Sequence, residues 1–397
     1  MCKEAKVLII MSAIFTAAMG LSGVFVNIFF WRETESLTVI VFYNLMHYIM
    51  TPITFIIAGW LSKKKNGIWS LRIGLVLFAV FFGLILLIGS RGVYYIYPLG
   101  ILFGTASGFY WLAFNTLCFD FTSTDNRDTF NGYNGSCAGI AGVIAPITAA
   151  YIISRFSGIK GYNIVFAITL ILFILLVTIS LFLRCDNYGS RLNISKSIGK
   201  NCEGWGNIRK AMFLWGFRDV IIVFIVNILI IQTTGSELSI GKLSLLGALI
   251  SSGAFVLVQR IVKPPRRIAA VYTGAILSFA AIWGLVIQVN STTILLYIIL
   301  DAFFLPFFII QMSSTTFNVI DRAHEEDMRI EYMINKDWVL NGGRIISSLI
   351  LIAMLKLFGG SGILRYYLII IGAAPILSAY FIAQLRNVLI GAKDIKS

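Results

Sequence analysis

The chain has 397 residues, of which 58% are hydrophobic and 13% are charged, whereas a soluble domain carries about 25% charged residues. Its mean hydropathy is +0.88. This composition excludes an ordinary soluble enzyme or binding module and predicts a membrane protein, and the net charge of +14 must be interpreted from its distribution along the chain.

Hydrophobic runs recur along the chain at the length of roughly 20 residues that crosses a bilayer core. Backbone groups in lipid must be paired within the chain, so these runs are predicted to be helices. The first run is too long for a cleavable signal peptide, and no cleavage pattern follows it. We predict an all-α membrane protein with twelve transmembrane helices, at 7–31, 38–61, 68–89, 95–118, 132–154, 163–183, 211–233, 243–262, 268–289, 293–314, 337–358 and 366–385.

The positive charge follows the predicted loops. If the N-terminus is cytoplasmic, the loops on that side and both tails carry most of the 32 Lys and Arg residues. This bias places both termini in the cytoplasm and predicts a multi-pass protein of the plasma membrane. The basic loops are therefore expected to contact anionic membrane lipid, and we expect no nucleic-acid partner.

The chain also resembles itself across its midpoint. We expect an N-terminal six-helix bundle at 1–184, a cytoplasmic linker at 185–210 and a C-terminal six-helix bundle at 211–397. Matching residues recur at an offset of about 200, as in Asn27 and Asn227, Gly74 and Gly274, and Gly142 and Gly343. Parallel six-helix repeats of this kind are typical of transporters that bind solute between the halves.

Two motifs link the chain to a known family. The loop between spans 2 and 3 in the major facilitator superfamily reads Gly-x-Leu-Ala-Asp-Arg-x-Gly-Arg-Arg. This chain has Gly59, Leu61, Ser62 and Gly67 there, with Lys63 in place of the acidic residue. Together with twelve spans in two halves, this loop resembles that superfamily, although the gating role of the family's aspartate does not carry over.

Span 5 resembles the glycine-rich antiporter motif of superfamily exporters, with small residues at Gly132, Ala141, Ala145, Pro146, Ala149 and Ala150. Ordinary packing of a membrane helix would also use small residues there. Residues 21–31 and 215–219 resemble the YqgE-type branch of Gram-positive transporters.

The resemblance implies a secondary active transporter that moves a small-molecule substrate by alternating access, coupled to a proton or another ion. It implies a monomer without a cofactor, and span 5 slightly favours export. A lipid or lipid-linked flippase on the same fold is the alternative. A membrane-embedded enzyme and a non-transporting sensor are further rivals, but the chain has two histidines and no large extramembrane loop. The five cysteines show no metal-ligand spacing, so no metal site is predicted.

Ionisable residues within the spans are candidates for proton coupling, because such groups are costly in lipid. Asp301 is expected to lie alone in span 10 and to carry the coupling proton. Arg344 is expected to pair with Asp219, which would leave Arg218 free for an anionic group on the substrate. The alternatives are structural hydrogen bonds and a structural ion pair.

In the superfamily, spans 1, 4, 7 and 10 line the central cavity. The resemblance therefore implies that polar and aromatic residues of these spans bind substrate, namely Asn27, Tyr110, Trp111, Asn115, Arg218, Asn227 and Gln311. Aromatic residues there could instead serve packing. A stripe of Gly100, Gly104 and Gly108 predicts tight helix packing of span 4.

The cytoplasmic loops predict a latch. Basic loops after spans 2 and 8 would approach acidic loops of the other half when the inner side closes. Each exposed pair is worth only about 0–1 kcal/mol, but several could bias a two-state equilibrium. The proposed gating residues are Lys63, Lys64, Lys65, Arg266, Arg267, Asp120, Asp128, Glu325 and Glu326.

Overall fold

The computed structural model describes residues 2–122, 127–187, 189–199, 202–322, 328–358 and 362–390, and these ranges contain helices and no strands. The short helices are α7 (Ile194–Ile198) and α14 (Arg386–Ile390). The long helices are α1 (Lys3–Thr34), α2 (Leu37–Lys64), α3 (Gly67–Ile88), α4 (Ile96–Asp120), α5 (Arg127–Arg155), α6 (Lys160–Ser180), α8 (Trp205–Thr234), α9 (Glu237–Ile261), α10 (Arg267–Ile287), α11 (Ser291–Arg322), α12 (Arg329–Phe358) and α13 (Ile363–Ala383).

The long helices account for the predicted spans. Within the described ranges, 11 helical stretches are long and apolar enough to cross a membrane. One of these, Gly67–Asp120, contains both α3 and α4, which a 3-10 segment at Gly89–Tyr95 connects. Counting α3 and α4 separately gives twelve spans, so the predicted all-α membrane fold is confirmed.

The chain forms two compact units. Unit 1 comprises Met1–Ser197 and Ser236–Leu245, and unit 2 comprises Ile198–Gly235 and Leu246–Ser397. The first residues of α9 therefore belong to unit 1 and the rest of that helix to unit 2. The segment expected to be a linker, 185–210, contains α7 and the beginning of α8, and the side chain of Asn66 donates to the carbonyl of Cys185 and to Asn187 Oδ1, both at 3.0 Å.

The helices of the two units pair in the same order. In unit 1, α1 packs against α5 and α6, and α3 packs against α4 and α6. In unit 2, α8 packs against α12 and α13, and α10 packs against α11 and α13. The first, third, fourth, fifth and sixth long helices of each half thus have equivalent neighbours, which supports the internal repeat that the residue offsets predict.

Two glycines of the repeat occupy equivalent contacts. A Cβ atom added at Gly74 on α3 would lie 2.7 Å from the backbone nitrogen of Tyr110 on α4. A Cβ atom added at Gly274 on α10 would lie 2.5 Å from the backbone nitrogen of Phe308 on α11. Because no real Cβ atom comes this close to backbone, both positions require glycine for the helices to touch.

The glycine stripe of α4 packs against α2, as predicted. Side chains added at Gly100 and Gly104 would clash with the carbonyl oxygens of Tyr43 and His47 on α2. The hydroxyl of Thr54 donates to the carbonyl of Gly104 at 3.4 Å across the same contact. Backbone contact and a weak interhelical hydrogen bond take the place of hydrophobic burial, which contributes little between helices in lipid.

Candidate functional site

A buried ion pair joins α8 and α11 in unit 2. Arg218 of α8 is 1% exposed, and its Nη2 donates to Asp301 Oδ1 on α11. The same Nη2 lies 3.3 Å from the Ser278 hydroxyl and 3.4 Å from the Tyr297 hydroxyl. Ser278 donates to Asp301 Oδ1, and Tyr297 donates to Asp301 Oδ2 at 3.2 Å. The expectations that Asp301 is alone and that Arg218 is free are therefore wrong.

This correction has a physical cause. A lone carboxylate and a lone guanidinium within the membrane would each pay a large desolvation penalty, and mutual pairing with further hydrogen bonds offsets it. Arg218 and Asp301 lie on helices of the same unit, so one pair satisfies both charges. One atom remains: Arg218 Nε is buried and has no hydrogen-bond acceptor among the described residues.

A second ion pair joins α8 and α12. Arg344 donates from Nε to Asp219 Oδ2 at 3.1 Å and also from Nη2 to that oxygen, so the predicted pairing of these two residues is present. Arg344 Nη1 donates to Asn341 Oδ1 at 3.1 Å, and Asn341 Nδ2 donates to Asp337 Oδ2 at 3.0 Å. Polar side chains of α12 thus form a chain from Asp337 through Asn341 to Arg344, which binds Asp219 of α8.

Helix α8 is kinked at the site. Asp219 has non-helical backbone angles, φ −24° and ψ −105°, between two helical segments. The Ser347 hydroxyl of α12 donates to the carbonyl of Phe217 at 2.9 Å, so a side chain supplies a partner beside the break. Side chains added at Gly216 or Gly343 would clash with the backbone of the facing helix, and this glycine contact brings α8 and α12 together beside Asp219.

Consecutive residues of α8 therefore bind different helices. Arg218 binds α11 and Asp219 binds α12, which agrees with side chains that point about 100° apart on a helix. We call Arg218, Asp219, Asp301, Arg344 and their hydrogen-bond partners the charged cluster. A broken membrane helix with ionisable groups at the break is the arrangement in which many transporters bind their substrate or coupling ion.

Two predicted substrate residues of unit 2 lie on the same helices as the charged cluster. Asn227 of α8 and Gln311 of α11 are buried, at 8% and 4% exposure. Their side chains form no hydrogen bond with the part of the chain that the structure describes. Their amide atoms are not among the buried polar atoms that lack a partner, so both amides are accessible to a ligand or water.

The predicted substrate residues of unit 1 have several environments. The side chain of Asn44 on α2 donates to Asn27 Oδ1 on α1 at 2.9 Å. Tyr110 is buried and stacks on Phe15 with ring centres 3.5 Å apart, so packing dominates its environment. Trp111 is exposed and Asn115 is half-buried.

Four of the predicted gating residues have contacts within their own units. Lys64 Nζ lies 5.1 Å from the ring centre of Trp60. The carbonyl of Lys63 accepts a hydrogen bond from the backbone nitrogen of Ser190 at 3.0 Å. Two residues end helical segments, Asp120 on α4 and Arg266 on the 3-10 segment Pro264–Arg266.

Lys65 Nζ lies over the ring of Trp69, and Arg267 donates to the carbonyl of Leu389 at 2.8 Å. The side chain of Asp128 and the whole of Glu325 and Glu326 lie outside the described residues. The latch therefore stays a prediction.

Sequence reasoning missed the hydrogen-bond partners of both ion pairs. Tyr297 lies four residues before Asp301 on α11, and Asp337 and Asn341 lie seven and three residues before Arg344 on α12. Residues at these spacings share a helix face, and this spacing could have revealed them. Ser278 lies on α10, and no local pattern joins it to Asp301.

A further polar cluster in unit 1 was also missed. Arg32 Nε of α1 donates to Glu237 Oε1 at 2.9 Å, and the hydroxyl of Tyr162 on α6 donates to the same oxygen at 2.9 Å. Tyr162 is buried, whereas the Arg32 side chain is 40% exposed. This cluster ties the beginning of α9 to α1 and α6.

Metal chemistry has no ready site in the described ranges, which contain no group of three or more His, Cys, Asp or Glu side chains arranged to bind a metal ion. Asp219 of α8 and Asp301 of α11 are each paired with an arginine.

Comparison with known proteins agrees with the fold. A family model described as Major Facilitator Superfamily matches residues 8–329. The Bacillus subtilis (strain 168) protein YqgE is 33% identical over 382 residues, covering 96% of this chain and 89% of its own length.

Solved transporter structures share the architecture. A bacterial homologue of the iron transporter ferroportin, in its inward-facing state, aligns with a TM-score of 0.65 at 15% identity, covering 97% of this chain and 98% of that one. A bacterial homologue of the human lysosomal transporter Spinster, inward-facing and unoccupied, gives a TM-score of 0.63 at 14% identity and covers 97% of both chains. At such identities the likeness concerns the fold alone.

Proposed function

Because this chain belongs to the Major Facilitator Superfamily, and to its YqgE type, we propose that it is a proton-coupled transporter whose charged cluster links proton binding to the movement of a small solute. Membership of this superfamily identifies the protein as a multi-pass membrane transporter and not an enzyme. We propose in addition that transport is coupled to protons, that the substrate is a small solute and that the protein lies in the plasma membrane.

The observation that carries the proposal is the pair of arginine–aspartate contacts at the kink of α8. Buried ion pairs add little net stability compared with apolar residues of similar volume. Ionisable residues in membrane spans accordingly mark ion and substrate pathways. Two such ion pairs involve consecutive residues of α8, at the break of the helix. The ionisable groups of unit 2 that could bind an ion or substrate are therefore close together along α8.

Asp301 is the proposed proton carrier. In its ionised form it accepts hydrogen bonds from Arg218, Ser278 and Tyr297. A proton added to the carboxylate removes its charge and turns one acceptor oxygen into a donor. Arg218 keeps its charge and its hydroxyl contacts but loses its counterion. The attraction that joins α8 to α11 is thereby weakened, and any conformational change that separates the two helices becomes linked to protonation.

Asp219 and Arg344 are proposed to hold the kink during this change. Arg344 is itself oriented by Asn341, so the second pair keeps its own hydrogen-bond support when the first pair changes. A proton on Asp301 then alters one contact of α8 while the other persists. Asn227 and Gln311, with free amide groups, are the proposed solute contacts in unit 2, and Asn27, Trp111 and Asn115 those in unit 1.

Export is the proposed direction. Its support is the row of small residues on α5, where a Cβ atom added at Gly20 of α1 would lie 2.9 Å from Ala145 Cβ. A Cβ atom added at Gly241 of α9 would lie 2.5 Å from Ala150 Cβ. Small residues of the exporter-like motif thus contact glycines on two neighbouring helices, which is the close approach that the motif requires.

We do not extend a metal cargo to this chain from the ferroportin homologue. The described residues of this chain contain no set of three metal-binding side chains. Asp219 and Asp301 each form an ion pair with an arginine. A water-soluble organic solute with hydrogen-bonding groups fits the free amides better.

The test uses purified protein in proteoliposomes with an imposed pH gradient and a panel of labelled organic solutes. We expect a solute that moves against its gradient only when a proton gradient is present. Asp301→Asn should abolish gradient-driven accumulation while solute exchange at equal pH continues, because the proton site is removed and the pathway remains. Glu33→Gln, an exposed carboxylate at the end of α1, is the matched control and should accumulate solute normally.

Three results count against the proposal. Gradient-driven accumulation by the Asp301→Asn variant equal to that of the wild type removes the proton role of Asp301. Movement of a fluorescent phospholipid with no movement of any water-soluble solute would favour the lipid-flippase alternative. Net entry of solute under an inwardly directed proton gradient would exclude export.

A further inference from the structure

The turn between α2 and α3 presents cations over an exposed aromatic ring. Lys65 Nζ lies 4.2 Å from the ring centre of Trp69, and Arg72 Cζ lies 6.0 Å from the same centre. Trp69 is 44% exposed. Two positive charges therefore converge on one indole at the surface of unit 1, where tryptophan is typical of the membrane interface.

Arg72 has hydrogen-bonding capacity that the chain does not use. Its Nη2 donates to the carbonyl of Ser180 at 3.1 Å, the last residue of α6, where the helix dipole favours a cation. Its Nε is buried and has no acceptor in the described ranges. Neither Lys65 nor Arg72 pairs with a carboxylate of any described residue. A buried N–H group without a partner requires an explanation, such as a bound ion.

An apolar track leads away from this point along α3. Val76, Val80 and Leu84 are exposed large side chains, and their spacing of four residues, with Trp69 seven residues before Val76, places them on one face of the helix. Arg72 lies five residues after the start of α3, or about 7.5 Å along its axis. That depth is close to the boundary between headgroups and hydrocarbon.

We propose that Lys65, Trp69 and Arg72 bind the phosphate of an anionic phospholipid, whose acyl chains lie along Val76, Val80 and Leu84. The two cations match a phosphate oxygen set, to which arginine donates strong charge-assisted hydrogen bonds. The apolar track distinguishes a lipid from free phosphate, which has nothing to place there. With the N-terminus inside, this lipid belongs to the cytoplasmic leaflet.

The site does not depend on the proposed proton coupling, although Lys65 is also one of the predicted gating residues. It lies on the turn after α2 and on α3 of unit 1, and it shares no residue with the charged cluster of unit 2. A chain that moved another solute, or moved it without protons, would bind the same lipid.

The test is native mass spectrometry of the full-length protein, released from detergent after incubation with equal amounts of phosphatidylglycerol and phosphatidylcholine. We expect the wild type to retain phosphatidylglycerol in preference. Arg72→Gln should reduce that retention roughly tenfold, as expected for the loss of one charge-assisted contact. Lys64→Gln is the matched control, because Lys64 lies over a different ring, that of Trp60, and its loss removes the same charge one residue from Lys65.

Each of the following outcomes either contradicts or supports the proposed lipid site. Equal retention of phosphatidylglycerol by Arg72→Gln and the wild type, or equal loss in Lys64→Gln and Arg72→Gln, would show that general charge and not this site holds the lipid. Displacement of the lipid by millimolar inorganic phosphate would assign the site to a free anion. Arg72→Lys, which keeps the charge and loses the planar fork, should fold normally and retain an intermediate amount of lipid.

Discussion

The two glycines shared by the repeat provide the sharpest test of the fold. Substitution of Gly74 or Gly274 by alanine places a Cβ atom 2.7 or 2.5 Å from a backbone nitrogen of the facing helix. Real Cβ atoms do not approach closer than about 3.0 Å, and backbone cannot rotate away as a side chain can. The paired helices must therefore separate by some tenths of an ångström along the whole contact.

The magnitude follows from two opposing effects. Overpacking costs typically about 1–3 kcal/mol, whereas replacing glycine by alanine in a helix gains about 1 kcal/mol. Gly83 of α3 is the matched control, since a Cβ atom there meets nothing within 4 Å. We expect Gly83→Ala to stabilise the protein by up to about 1 kcal/mol and both Gly74→Ala and Gly274→Ala to be about 1–3 kcal/mol less stable than this control.

The assay is denaturant-induced unfolding of the purified protein in detergent micelles, followed by tryptophan fluorescence. Equal free energies of unfolding for Gly74→Ala and Gly83→Ala would refute the close contact between α3 and α4. A large loss at Gly74 with none at Gly274 would refute the equivalence of the two units.

Three further predictions concern the ion pairs and the hydroxyl of Tyr162 and use the same unfolding assay. Arg344→Ala should cost about 3–5 kcal/mol because it leaves Asp219 uncompensated in an apolar region; the double variant with Asp219→Ala should regain part of that loss, and additive effects would contradict the pairing. Arg32→Ala should cost less than about 1 kcal/mol because that side chain is 40% exposed, and its effect should shrink at high salt. Tyr162→Phe removes a buried hydroxyl that donates to the Glu237 carboxylate, which should cost about 1.5–3 kcal/mol and depend less on salt than the effect of Arg32→Ala; an equally salt-sensitive effect would contradict the assignment.

Much of the fold could be predicted because membrane helices leave a strong signal in the sequence. The length of each apolar run gives the span, and the 200-residue offset gave the repeat that Gly74 and Gly274 now show as equivalent contacts. The predicted first and last residues of the helices were less accurate. α8 begins at Trp205, six residues before the predicted span, because its first residues pack inside unit 2 where apolar length sets no limit.

The charged cluster was predicted only in part. Depth along a helix can be counted at about 1.5 Å per residue, and this correctly matched Asp219 with Arg344. Asp301 and Arg218 lie on different spans, α11 and α8, and no spacing in the sequence shows that these two spans bring them together. The kink at Asp219 has no proline beside it to announce it, and it changes the directions in which α8 presents its side chains.

In the proposed mechanism, the kink and the two ion pairs act together on α8. Arg218 and Asp219 are adjacent, yet they hold α11 and α12, so the backbone between them cannot rotate without altering at least one contact. A straight helix would also present the two side chains at different angles, but it would transmit a rotation evenly to both partners. The break lets the segments of α8 before and after Asp219 turn by different amounts. In the proposed mechanism, protonation of Asp301 would release from α11 the segment of α8 that ends at Arg218, while Arg344 still holds Asp219 to α12, so the angle at the break would change. A charge change at Asp301 would thereby shift the segment of α8 that carries Asn227, the proposed solute contact two turns beyond the break.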